Sequence, residues 1–594
     1  MGLNQIKMAN KKLKYNLIFF LLAVVVMFSF PHYFTRVRAD EKKTSSSLQN
    51  MSIDEIVALS QFDGRNYGLV TAVKDQGSKN ICWAYASINA SESSILRNGL
   101  SGATSDTLNL LPEQIAYRRH NRDADPLNNT VGEYTGKSWT ATPGNPAYSA
   151  FLLSQWCGPI SSNLSSNADP YVNTNYRLEN AVLIDSGKTG SERIAELKRA
   201  VATYGAITFS YNNVREVDYY NPKNETDYGV AHACTIIGWD DTINANKFVP
   251  NGATQNGGWL IKNSYSSKPY FYMSYDNTGS QVWAFQYAEK EKYNYNYFYD
   301  NSVDDSLNEL INGTRVANVF EAKKAGEGKA EYVKAVNVSA QGTNVKCRVE
   351  VYTNLTDKTD PYSGTLSASG ERVFEYNGYN MVELDNMAKI EKGTYYAIVV
   401  NVSSADGTTS PYLRFSLDDG GQSYKYGASW SKVRYSARIK AFTVLADENT
   451  TNIVENDVTI QEKMTFTGGE LKPNVVVVCN GKTLVENVDY TLKYHNNINV
   501  GLASVEITGI GEYSGTITKY FTIEKTVEPG PGPTEPENPT PTPEPETPNE
   551  EEKDTNKKQL TVPEKVGLVV GVVVIGCVPI ISHIIKIKIY KRKR

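Results

Sequence analysis

The chain has 594 residues, with 61 Lys and Arg against 65 Asp and Glu, and its formal net charge of −4 argues against a nucleic-acid partner. Six cysteines in that length exclude a disulfide framework, which domains of sufficient size do not need. At the N-terminus, Lys11, Lys12 and Lys14 precede an apolar run from Leu17 to Phe30, and Val37-Arg38-Ala39 supplies a small-residue cleavage site before Asp40. This pattern predicts a secretory signal peptide over residues 1–39 and an exported mature protein. Residues 40–61 then form a short arm, in which Asp40 to Ser47 is polar and predicted to be disordered while Met51 to Leu59 shows apolar spacing.

The region 62–290 carries the chemistry. Cys82 stands in Gln76-Gly77-Ser78-Lys79-Asn80-Ile81-Cys82-Trp83 and opens an apolar helical pattern that continues through Ile88, Ile95 and Leu96 and closes at Asn98-Gly99. That places Cys82 at the positive end of a helix dipole, where a thiolate is stabilised and a nearby imidazolium stabilises it further. Gln76, one short loop upstream, offers a side-chain amide as an oxyanion donor. His232 and Asn263 follow far downstream, and this order reads as a thiol peptidase. The histidine inventory supports His232. His32 and His583 lie in hydrophobic targeting segments, His495 lies in a separate module, and His120 sits in Arg118-Arg119-His120-Asn121-Arg122, a basic run that reads as solvated surface.

Four ordered blocks resemble the papain family. Val70-Thr71-Ala72-Val73-Lys74-Asp75-Gln76-Gly77-Ser78 before Cys82-Trp83 resembles its nucleophile segment, and Leu110-Leu111-Pro112-Glu113-Gln114 its next helix start. Ala231-His232-Ala233 with Ile236-Ile237-Gly238-Trp239 resembles the histidine strand, and Trp259-Leu260-Ile261-Lys262-Asn263-Ser264-Tyr265 the asparagine strand. The resemblance implies Cys82 as nucleophile, His232 as base then acid, Asn263 as orienter of the imidazole and Gln76 as oxyanion donor. Gly144, in Gly144-Asn145-Pro146-Ala147-Tyr148, resembles the glycine segment that receives extended substrate backbone, although a plain turn reads the same way. The chain departs from the family at two points. Lys79 stands where a disulfide cysteine precedes the nucleophile by three residues, and Tyr265 stands where a tryptophan usually shields the histidine–asparagine pair. Cys157 and Cys234 match no bridge and read as free and buried. A helical pattern at Arg193 to Val201 before a strand pattern at Ala206 to Phe209 suits an α+β fold.

Beyond Tyr293-Asn294-Tyr295-Asn296-Tyr297 the pattern becomes all-β, with strict alternation at Cys347 to Tyr352 and a second strand at Thr394 to Val400, predicting a β-sandwich over residues 291–446. Its position behind a papain-like region resembles the lectin-like module of Gram-positive cell-surface cysteine peptidases. The resemblance raises carbohydrate or wall polymer as a partner, while the same aromatic and acidic residues also read as plain sandwich surface. Residues 450–525, with Val475 to Cys479 leading into an Asn480-Gly481 turn, resemble a bacterial immunoglobulin-like domain. Residues 526–559 alternate proline with glutamate and threonine as an extended linker or stalk. Val566 to Ile585 carries no charge and has the length of one transmembrane helix, and the basic tail 586–594 belongs on the cytoplasmic side.

The predicted whole is multidomain: an α+β papain-like domain, all-β sandwich domains, a Pro-rich stalk and one C-terminal transmembrane helix. Its predicted activity is cysteine endopeptidase, acting on extracellular or cell-wall-associated proteins at a Gram-positive surface and using no cofactor. Two alternatives stay open, a surface adhesin on an inactive papain-like scaffold and an amidase of peptidoglycan stem peptides. The short arm is too small for an independent inhibitory domain, which needs about fifty residues, so activity is expected without removal of one.

Overall fold

The computed structural model describes residues 48, 51–212, 217–222, 231–303, 306–310, 313–326, 328–419, 422–447 and 450–525. The predicted signal peptide, Pro-rich linker and transmembrane span lie outside the described residues. Among the described residues no helix is long and apolar enough to cross a membrane.

The helix Cys82–Arg97 is buried from Trp83 to Leu96, so it runs through the protein rather than over it. A helix buried on all sides needs cover all round, and here the cover must also receive the buried polar side chains Ser87, Asn89, Ser91 and Glu92. One flank is a six-stranded sheet whose central strand, Ala231–Asp240, is buried from His232 to Trp239. That strand pairs with Ile207–Asn212 on one side, setting Tyr211 opposite His232. On the other it pairs with Gly258–Lys262, setting Thr235 opposite Lys262. The arm joins the same unit. Ser52 caps the helix Ile53–Val57 with a capping box, Ile56 is fully buried, and Trp239 Nε1 donates to the Leu59 carbonyl at 2.9 Å. Gln61–Asp63 then adds a strand opposite Asp240, Trp239 and Gly238.

The basic run 118–122 corrects the expectation of a solvated surface: Arg118, Arg119, His120 and Arg122 are all buried. Arg118 donates to the carbonyls of Asn167 and Ala168 at 2.6 and 3.0 Å, and Arg119 donates to the Pro143 carbonyl at 2.9 Å with its guanidinium 3.6 Å from the Tyr148 ring centroid. A guanidinium is tolerated inside when carbonyls and ring faces replace its water. The sequence pattern of clustered charge carries no information about those distant acceptors.

The region 62–290 and the sandwich share a sheet. Tyr176–Leu183 pairs with Trp283–Glu289 on one edge and with Asn377–Ile390 on the other, within a nine-stranded sheet. The contact is close at Gly378, whose φ is 101° and where an added Cβ would stand 2.4 Å from the Ala181 carbonyl oxygen. Phe442, Tyr379 and Met381 of the sandwich belong to the same apolar core as Trp156 and Phe151. At this junction Asp300 is fully buried between Lys440, at 2.6 Å, and Arg438, at 3.2 Å, and accepts from the Tyr379 hydroxyl at 2.9 Å. Burial pulls the Lys440 ammonium down to about 8 against the pull of Asp300.

The second sheet of the sandwich has six strands, including Val345–Thr353, where Val345, Cys347, Val349 and Val351 face a separate apolar core and Lys346 and Arg348 face outward. The last β unit has its own core around Ile453, Val458, Val477, Val505 and Ile507. In it Asn480 and Gly481, both with positive φ, turn Val475–Cys479 back onto Lys482–Thr483.

Candidate active site

Cys82 is the first residue of its helix, and Ile81 before it makes no side-chain cap. The first-turn amides therefore point at the sulfur region without a competing acceptor from the cap residue. Burial pushes the Cys82 thiol up, while the backbone N–H groups of Ala233, Trp83 and Cys82 itself pull it down. The Ala233 contact brings the sulfur to the start of the histidine strand.

His232 is 4% exposed, and its Nε2 lies 2.9 Å from Asn263 Oδ1. An amide oxygen only accepts, so Nε2 carries the proton and Nδ1 is left as the acceptor in the neutral ring. Burial holds His232 below the usual histidine range, and the Asn263 hydrogen bond partly restores it. Tyr265 stacks on the imidazole at 5.5 Å between centroids and 20° between planes, and Tyr211 meets it edge-on at 5.8 Å. The tyrosine at position 265 thus covers the ring as a flat shield.

Asn263 is held at both ends of its amide. Its Nδ2 donates to the Lys268 carbonyl at 3.0 Å, and its Oδ1 accepts from the Ser264 N–H at 2.8 Å and from the Cys234 thiol at 3.3 Å. Gln76 is buried beside the same turn: its N–H donates to the Ser264 carbonyl at 2.9 Å, its Oε1 accepts from the Ser264 hydroxyl at 2.6 Å, and its Nε2 donates to the Lys79 carbonyl at 2.7 Å. With the oxygen engaged, Nε2 is the end that presents hydrogens and keeps one in reserve.

Lys79, in the position of the missing cysteine, pairs with Glu113 at 3.3 Å, and Glu113 also accepts from the Tyr85 hydroxyl at 2.6 Å. An ionic contact ties the Gln76 loop to the neighbouring helix Pro112–His120. Gly144 lies against the indole of Trp83, where an added Cβ would stand 2.7 Å from Cε2 and Nε1. That crowding explains the glycine by packing alone. His120 is elsewhere, its Nδ1 2.8 Å from the Thr135 hydroxyl. Cys157 and Cys234 are free and buried.

The structure therefore gathers Cys82, His232, Asn263 and Gln76 around one strand end and one helix start, and sets Gly144 on Trp83 beside them. Sequence reasoning gave no role to Ser264, which bridges Asn263 and Gln76, and read Cys234 only as free and buried. Their signals were adjacency to Asn263 and the two-residue spacing from His232.

Residues 297–443 match the family model described as Lectin like domain. The fold is similar to the clostridial cysteine protease Cwp84 after propeptide cleavage, with a TM-score of 0.52 and 19% identity, covering 65% of this chain and 99% of that one. It is also similar to the cysteine protease and lectin-like domains of Cwp84, a surface layer associated protein of Clostridium difficile. There the TM-score is 0.51 and the identity 18%, over 65% of this chain and 88% of that one. This chain therefore joins a papain-like cysteine-peptidase fold to a lectin-like domain.

Proposed function

We propose that the protein is a cysteine endopeptidase that cleaves extracellular or wall-associated proteins. The observation that carries this reading is the His232 Nε2–Asn263 Oδ1 pair beside a cysteine at a helix start. In this reading His232 Nδ1 takes the Cys82 proton and the thiolate attacks the peptide carbonyl. The Gln76 amide and the Cys82 N–H hold the oxyanion, and the imidazolium returns the proton to the leaving amine. Water then hydrolyses the thioester, with His232 again the base. Gly144, packed on Trp83, offers its backbone to an extended substrate.

The surface reading rests on the sequence at both ends and on the likeness to Cwp84, a surface layer associated protein. Residues 1–39 export the chain, the Pro-rich segment extends it, and Val566 to Ile585 anchors it in the membrane with the catalytic region outside. The lectin-like domain supplies a contact to carbohydrate or wall polymer. Labelling the purified protein with an epoxide inhibitor of thiol peptidases, followed by mass mapping, tests the activity. The adduct is expected on Cys82 and absent in Cys82→Ala. An adduct elsewhere, or peptide cleavage that survives Cys82→Ala, rejects the reading.

A further inference from the structure

We propose that Cys234 is a positioning residue whose thiol pins the Asn263 amide in the orientation that meets His232. The inference rests on the peptidase reading above. Cys234 lies two residues after His232 on one strand, and residues two apart on a strand share a face. It is 1% exposed and donates to Asn263 Oδ1 at 3.3 Å.

An asparagine amide has two nearly isosteric orientations, and its neighbours decide between them. At Asn263 the inward atom faces the Ser264 N–H, the Cys234 thiol and His232 Nε2, so an oxygen satisfies donors where an NH2 would oppose them. The Ser264 donor belongs to the same turn as Asn263 and moves with it. Cys234 sits on the neighbouring strand with His232, so its hydrogen bond ties the amide to the strand that carries the imidazole. The thiol suits this task because burial pushes it far up, keeping it protonated, and because the Tyr211 hydroxyl lies against the same sulfur. The oxygen already accepts from the Ser264 N–H and from His232 Nε2, and the thiol adds a third, longer hydrogen bond from the strand that carries the imidazole, which an apolar side chain would not supply.

The test compares Cys234→Val, which fills the volume without a donor, with Cys234→Ser, which keeps one, in the full chain on a peptide substrate. The valine variant is expected to lower kcat about fivefold at unchanged KM, the size of one modest hydrogen bond, and the serine variant to stay within about twofold of the parent. If the role were packing alone the order would reverse, because valine suits an apolar site and a buried hydroxyl does not. That reversal, or equal kcat in both, overturns the proposal. Thermal melts check folding, and Cys234→Ala, which cannot clash, replaces the valine variant if that one melts early. Cys82→Ala in the same assay separates the two ideas. Surviving cleavage there rejects the peptidase reading, whereas its loss together with a Cys234→Val at parental kcat rejects only the role of Cys234.

Discussion

Asn263 Oδ1 meets His232 Nε2 at 2.9 Å because the two residues sit at adjacent ends of paired antiparallel strands. Thr235 opposite Lys262 is the last pair of the ladder and fixes the register, and Asn263, just past the strand end, accepts from the Cys234 thiol. A slip of one residue would turn His232 to the other face of the sheet. Register and chemistry are thus one constraint at this site.

Gln76→Ala is expected to reduce kcat by about a hundred- to a thousandfold without abolishing it, since the proposed mechanism then loses one oxyanion donor and keeps the backbone donor. Steady-state kinetics on a short peptide, with folding checked by circular dichroism, measures this. Parental kcat would remove Gln76 from the oxyanion site.

Acid should destabilise the protein partly through His232. Its folded pKa is depressed by burial, while in the unfolded chain it lies near the ordinary value of about 6.5. Between those two values the unfolded state binds more protons, so this contribution is complete above about pH 6.5 and is lost as pH falls toward the folded pKa. The drop in melting temperature on going from pH 7 to pH 5 is therefore expected to be smaller in His232→Gln than in the parent. Equal drops would show that His232 does not contribute.

The arm is expected to act as part of the fold and not as an inhibitor. It pairs at Asp240 through Gln61, about 26 Å along the strand from His232 at about 3.3 Å per residue. Ile56→Ala should cost about 2–5 kcal/mol by removing a buried side chain. A chain starting at Gln61 should melt earlier with no gain in turnover. Higher turnover in the shortened chain would reveal an inhibitory arm instead.

A chain ending at Lys290 should fail to fold cooperatively. It would lose the strand Asn377–Ile390 beside Tyr176–Leu183 and leave Trp156 without Phe442, whose ring centroid lies 4.8 Å away. Urea unfolding followed by fluorescence gives the answer. A sigmoidal transition matching that of the full chain would mean the shared sheet is dispensable.

The sequence by itself determined the parts that depend on local pattern or on spacing along the chain. The Cys82 helix, the alternating strand at Cys347 to Tyr352 and the Asn480-Gly481 turn are set by periodicity and by residues that tolerate positive φ, so they could be read without partners. Cys82, His232, Asn263 and Gln76 were named from ordered motifs, and the fold brings those four together. Only the tertiary structure decided what depends on distant acceptors. Arg118 and Arg119 are buried because the carbonyls of Asn167 and Pro143 receive them, and Lys79 pairs with Glu113 across 34 residues of chain. The shared sheet is of the same kind: Gly378 approaches Ala181 without any local signal, because strand pairing between remote segments is chosen by register and side-chain fit over the whole surface, which no window of sequence contains.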